Sequence, residues 1–172
     1  MKTLAKLLLF AVLFFSLVQV VMATTDTKNQ TVSITFSEIS ELAVSGNPGL
    51  LTIEAPLVEG DLPEDESDAT THMDWTSNVA AGQTRKITGQ IASLFSGIDL
   101  FATVAAPGSA GGTSAGELRF TAATTDYDFV TAIGNCNTSA NTITYRAEVT
   151  AMVAPYTNTQ KVVTWTLTED AV

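Results

Sequence analysis

The chain has 172 residues, one cysteine and a formal net charge of −10, with 45% hydrophobic and 8% aromatic residues. That is the size of one ordinary domain, large enough to bury a real core, and one thiol cannot close an internal disulfide. So acidic a surface repels nucleic acid and anionic membranes, and it suits solubility outside the cell.

The first element is a leader. Met1 to Lys6 carries two lysines, Leu7 to Val21 is an apolar stretch of fifteen, and Val21-Met22-Ala23 places small or apolar residues where a signal peptidase cuts. The stretch is short for a membrane span, which takes about 20 residues, and small polar residues follow it. Residues 1–23 are therefore expected to be a cleavable signal helix and 24–172 a single secreted or cell-surface domain. Cleavage leaves six basic against eighteen acidic side chains. No second hydrophobic stretch follows, so no membrane span is expected after cleavage.

Threonine then dominates, at 26 of the 149 residues from 24 onward. Its branched Cβ favours extended backbone, and its hydroxyl suits the wet face of a sheet. In Thr31–Phe36, Val32, Ile34 and Phe36 alternate with polar residues. Weaker strand candidates follow at Ile39–Val44, Leu50–Ala55, His72–Ser77, Thr84–Ile91, Ile98–Val104, Leu118–Thr121 and Phe129–Ile133. A short helical turn is expected around Ala92–Ser96. The alternation returns clearly in Asn141–Ala151 and in Lys161–Thr168, where Val163, Trp165 and Leu167 oppose Thr164, Thr166 and Thr168. A period of two with one apolar face marks half-buried antiparallel strands. Gly46-Asn47-Pro48-Gly49, Ala81-Gly82, Pro107-Gly108, Gly111-Gly112 and Gly134-Asn135 supply the turns. About ten short strands with such breaks predict an all-β fold, an antiparallel β-sandwich of immunoglobulin-like or jelly-roll-like form. Pro56–Thr71 and Ala105–Gly116 read as long loops.

Candidate chemistry is sparse. The acidic loop carries Glu59, Asp61, Glu64, Asp65, Glu66 and Asp68, hard oxygen donors that could hold calcium, although their spacing matches no EF-hand and charge runs are usually solvated. Gly112-Thr113-Ser114-Ala115-Gly116 spells G-x-S-x-G, but no parallel strand-to-helix elbow surrounds it. His72 is the only histidine and has Asp74 two residues away. Trp75, Tyr127, Phe129, Tyr156 and Trp165 are rings that could stack on sugars, with Tyr156, in a Pro-Tyr-Thr-Asn turn, the best placed to be exposed. Cys136 reads as a small half-buried residue, with an intermolecular disulfide as the sharper alternative. These residues give no catalytic constellation and require no cofactor.

Several phrases give the chain a recognisable character: Leu42-Ala43-Val44-Ser45-Gly46-Asn47-Pro48-Gly49, Thr52-Ile53-Glu54-Ala55-Pro56, Trp75-Thr76-Ser77, Ile133-Gly134-Asn135-Cys136 and Val163-Thr164-Trp165-Thr166-Leu167-Thr168. In these it resembles secreted, threonine-rich β-sandwich proteins of Bacteroidota-like bacteria, a group without an established activity. The resemblance implies a second cysteine near Ile98–Leu100, which this chain lacks. More loosely, the chain resembles subunits of extracellular β-sandwich filaments, in which an N-terminal strand of one subunit completes the sheet of the next. That likeness implies a donor segment in Thr24–Phe36, with Val32, Ile34 and Phe36 as its apolar row. The competing expectation is that Thr31–Phe36 pairs within its own domain. Two functions follow as expectations: a secreted structural or adhesive surface protein that self-associates through strand edges, or a secreted carbohydrate- or calcium-binding module.

Overall fold

The computed structural model describes residues 28–155, 157 and 159–170. The expected leader and Tyr156 lie outside the described residues. The chain divides into two units at Thr35/Phe36, and the second of these, residues 36–172, carries all the regular structure described here.

That unit is all-β. Nine strands are described: β1 (Ile39–Val44), β2 (Glu66–Asn78), β3 (Arg85–Ile91), β4 (Ile98–Val104), β5 (Thr113–Ser114), β6 (Leu118–Arg119), β7 (Tyr127–Ile133), β8 (Cys136–Val149) and β9 (Val163–Glu169). They form two sheets of antiparallel neighbours, ordered β1-β2-β8-β4-β6 and β5-β7-β3-β9. Among the described residues no helix is long and apolar enough to cross a membrane.

Alternation explains the sandwich. In β8, Asn141, Ile143, Tyr145 and Ala147 are buried while Thr142, Thr144, Arg146 and Glu148 face outward; in β2, Met73 and Trp75 are buried on the same principle. The inward residues of both sheets meet in one core: Met73, Trp75, Leu100, Ala102, Val104, Ile143 and Tyr145 from the first, Ile87, Ile91, Phe129, Val130 and Ile133 from the second. Beside them the rings of Phe120, Phe129 and Trp165 form a chain, with centroids 5.6 Å and 4.9 Å apart. Gly89 lies under that chain because nothing larger fits: a Cβ there would lie 2.6 Å from Trp165 and 2.7 Å from Phe129.

The long β2–β8 pair is bent by register shifts between Asp68 and Thr71 and between Met73 and Trp75. At the second shift Ala140 takes a φ of 57°, an uncommon conformation for a residue with a Cβ. Asp74 Oδ1 accepts the Ala140 amide at 2.7 Å, and Asn141 Nδ2 donates to the Met73 carbonyl at 3.0 Å. The displaced backbone groups are thus satisfied by side chains, as a bulge in a long strand requires.

Five expectations are corrected, the first being Pro56–Thr71, which is loop only as far as Asp65 because β2 begins at Glu66. Thr31–Phe36 and Leu50–Ala55 alternate in sequence but form no strand among the described residues. Ala92–Ser96 is a series of bends and not a helical turn. Ala105–Gly116 is not wholly loop: it holds a 3-10 turn at Ser109–Gly111 and β5.

Candidate functional site

The expected donor row is fully on the surface. Every residue from Lys28 to Glu38 is exposed, and Val32, Ile34 and Phe36 show 75%, 88% and 77% of their area to solvent. Three large exposed apolar side chains at every second position of one short stretch are more than scattered surface residues. Among the described residues Thr31–Phe36 is assigned to no strand. The chain enters the sandwich just beyond: the Ser37 carbonyl accepts from Asn78 Nδ2 at 3.0 Å, and Glu38 pairs with the buried Arg85.

Each sheet also has open edges. β5 and β6 are two residues long, and β1 carries Glu41 in its middle. β9 is different. It pairs with β3 over seven residues without a register shift, and among the described residues no strand pairs with its other edge. It contains neither proline nor lysine, and its apolar row of Val163, Trp165 and Leu167 is only partly buried. Edges are normally blunted by charge, proline or a bulge, and β9 has none of these before Glu169.

The structure does not gather the acidic loop into one site. Glu59, Asp61 and Glu64 are exposed. Asp65 pairs with Arg146. Glu66 and Asp68 lie at the start of β2. Asp68 accepts the Thr70 amide and hydroxyl; burial opposes its ionisation, but those bonds and the Gly49 amide hold its carboxyl below the usual carboxylate range. Among the described residues no group of three or more His, Cys, Asp or Glu is placed to hold a metal ion.

Sequence reasoning missed the residue that organises this side of the molecule. Arg146, on the outer face of β8, binds Glu117 through Nε and Nη2 at 2.9 and 2.8 Å, reaches Asp65 and Glu148, and stacks 3.9 Å above the Phe101 ring. It ties two loops to the sheet, and the only signal for it was a lone arginine on the polar phase of an otherwise Thr-rich strand. The Arg146 hydrogen bond, against a smaller burial effect, holds the Glu117 carboxyl below its ordinary range. A depressed folded-state pKa gives stability that is present above the ordinary Glu value and lost as pH falls through the folded one. Arg146→Gln should therefore lower the melting temperature at about pH 7 and leave it nearly unchanged at about pH 2. Both groups are partly solvated, so roughly 1 kcal/mol is the most to expect, and salt should reduce it. Thermal melts of the two chains at both pH values check this.

The remaining candidates have structural uses. Ser114 Oγ donates to the Val104 carbonyl at 2.6 Å and accepts the Gly116 amide, so the G-x-S-x-G serine closes a turn. Asp74 holds the β8 bulge, and exposed His72 meets Ser45 through its backbone. Trp75 and Phe129 are buried and present no ring to a ligand. Cys136 is half-buried beside Trp75; burial pushes its thiol pKa up, against the Ser77 amide and the Trp75 indole. The outer face of the second sheet carries an open trough of about 650 Å³, lined by Lys86, Thr88, Asp126, Tyr127, Asp128 and Thr166 among others. Lys86 and Asp128 are paired across it at 3.0 Å, and Asp126 accepts from Gln90. No protein-family model matches the chain, and no match was found among curated proteins or solved structures.

Proposed function

We propose that this protein is an exported structural or adhesive subunit of the cell surface, building an extracellular filament or matrix by β-strand addition. One observation carries the reading: Val32, Ile34 and Phe36 are an exposed apolar row at every second position, with the alternation of a strand but in no strand among the described residues, while the sandwich keeps open edges. Strand addition satisfies both at once, because main-chain bonds supply affinity and alternate side chains supply fit. The leader-like residues 1–23 and the acidic composition support an extracellular setting. The reading needs no catalytic group and no cofactor.

Ile34→Asp tests it. A carboxylate in the middle of the donor face cannot be buried unpaired. The variant should lose higher-order assembly at concentrations where the parent assembles, as read by sedimentation, and melt with the dilute, unassembled parent, since Ile34 is 88% exposed. An unchanged assembly would remove residues 28–36 from the mechanism.

A second reading rests on the trough over β3, β7 and β9, whose hydroxyls, carboxylates and one ammonium suit a polyhydroxylated ligand such as a carbohydrate. It predicts a melting temperature that rises with ligand concentration by mass action. Calcium, the other ligand considered, has only the scattered loop carboxylates to support it.

A further inference from the structure

We infer that residues 28–36 of one copy add antiparallel to the free edge of β9 in a second copy, setting Phe36 against Val163, Ile34 against Trp165 and Val32 against Leu167. This rests on the self-assembly reading above and names its acceptor. Three observations carry it.

The first is fit. β9 offers seven residues of edge with which no strand pairs among the described residues, with an apolar row at every second position that is only partly buried. The donor row repeats at the same spacing, and in this register its polar residues also match: Thr35 faces Thr164 and Ser33 faces Thr166. β5 and β6 are too short to guide a strand, and β1 has Leu42 as its one half-buried residue beyond Ile39.

The second is charge. The donor stretch from 28 to 36 holds one cation, Lys28, and no carboxylate, in a chain of net charge −10. Antiparallel addition carries Lys28 past the end of β9, where Glu169 and Asp170 stand. Parallel addition, with Val32 at Val163, carries it to within two positions of Lys161. Opposite charge fixes direction where main-chain bonding does not.

The third is polarity. Ser37 is anchored at Asn78 and Glu38 at Arg85, at the pole where β9 ends. The opposite pole, where β9 begins, exposes Leu94, Met152, Val153 and Val162. Antiparallel addition places the donor's own sandwich, entering at Ser37, against that apolar pole of the acceptor. The contact is head to tail, so it leaves one donor and one acceptor free at each end and propagates into a filament.

Cysteine pairs test the register on the full chain, expressed with its leader in an exporting host. Thr35→Cys with Thr164→Cys, both at exposed positions, should give a ladder of disulfide-linked multimers on a non-reducing gel, abolished by reductant. The parent chain, which retains Cys136, and each single variant should give none beyond a dimer. Thr35→Cys with Thr166→Cys, the pair expected if a chain laid its segment parallel on its own β9 with Val32 at Val163, should give no internally linked monomer. Assembly without the first ladder would overturn β9 as acceptor and leave the proposed function standing. An internally linked monomer would overturn transfer between copies. Absence of any assembly, in parent and variants alike, would overturn both.

Discussion

Gly89→Val should strongly destabilise the sandwich. Gly89 is buried in β3 between β7 and β9, and a Cβ there would lie 2.6 Å from Trp165 Cζ3 and 2.7 and 3.0 Å from Phe129 ring atoms. Neither ring can yield easily. Phe129 is fully buried between Phe120 and Trp165, and the Trp165 indole is held by its 3.2 Å hydrogen bond to the Tyr145 hydroxyl. Valine's strand propensity favours the substitution by up to about 1 kcal/mol. Overpacking a rigid ring chain costs about 3 kcal/mol or more at such distances, and it wins. A fall in melting temperature on the order of 10 °C is expected. Gly89→Ala should show a smaller loss, partly restored by adding Trp165→Leu, because the two residues share one space. A Gly89→Val chain that melts with the parent would mean the rings are free to move.

The second large effect is Trp75→Ala, in the other sheet. Trp75 is 1% exposed, on β2 at the centre of the core. Truncation of a fully buried tryptophan costs about 3–5 kcal/mol through lost transfer energy and a residual cavity. Its indole N–H lies beside the Cys136 sulfur, too loosely to count as a formed hydrogen bond. Trp75→Phe should therefore cost much less than Trp75→Ala, since the polar contact is weak and the ring volume dominates. Denaturant titration of the three chains measures the difference directly.

The strands were legible where alternation met a neighbour. Ile39–Val44 and Ile98–Val104 match their observed strands, and Lys161–Thr168 differs from β9 only at its ends. Alternation reports one apolar face and nothing about whether a sheet awaits it. That is why Thr31–Phe36 and Leu50–Ala55 looked like strands and are not. In Thr31–Phe36 a strand pattern stands without a ladder, which is what a donor segment needs before it meets its partner. Lengths were less legible. β2 starts at Glu66, inside what reads as an acidic loop, and continues through two register shifts that only its pairing with β8 reveals. The Arg146 cluster was not legible at all, since Asp65 and Glu117 are 81 and 29 residues from Arg146 and meet it only in the fold. Calcium ligation is suggested by six carboxylates close in sequence. The fold spreads them among an ion pair, a strand and solvent.

The most direct measurement is electron microscopy with solution mass on the protein purified after expression of the full chain. The strand-addition account predicts filaments or large ordered oligomers, whose mass collapses to that of a single chain in Ile34→Asp. A parent protein that stays a clean monomer at every concentration examined would contradict it.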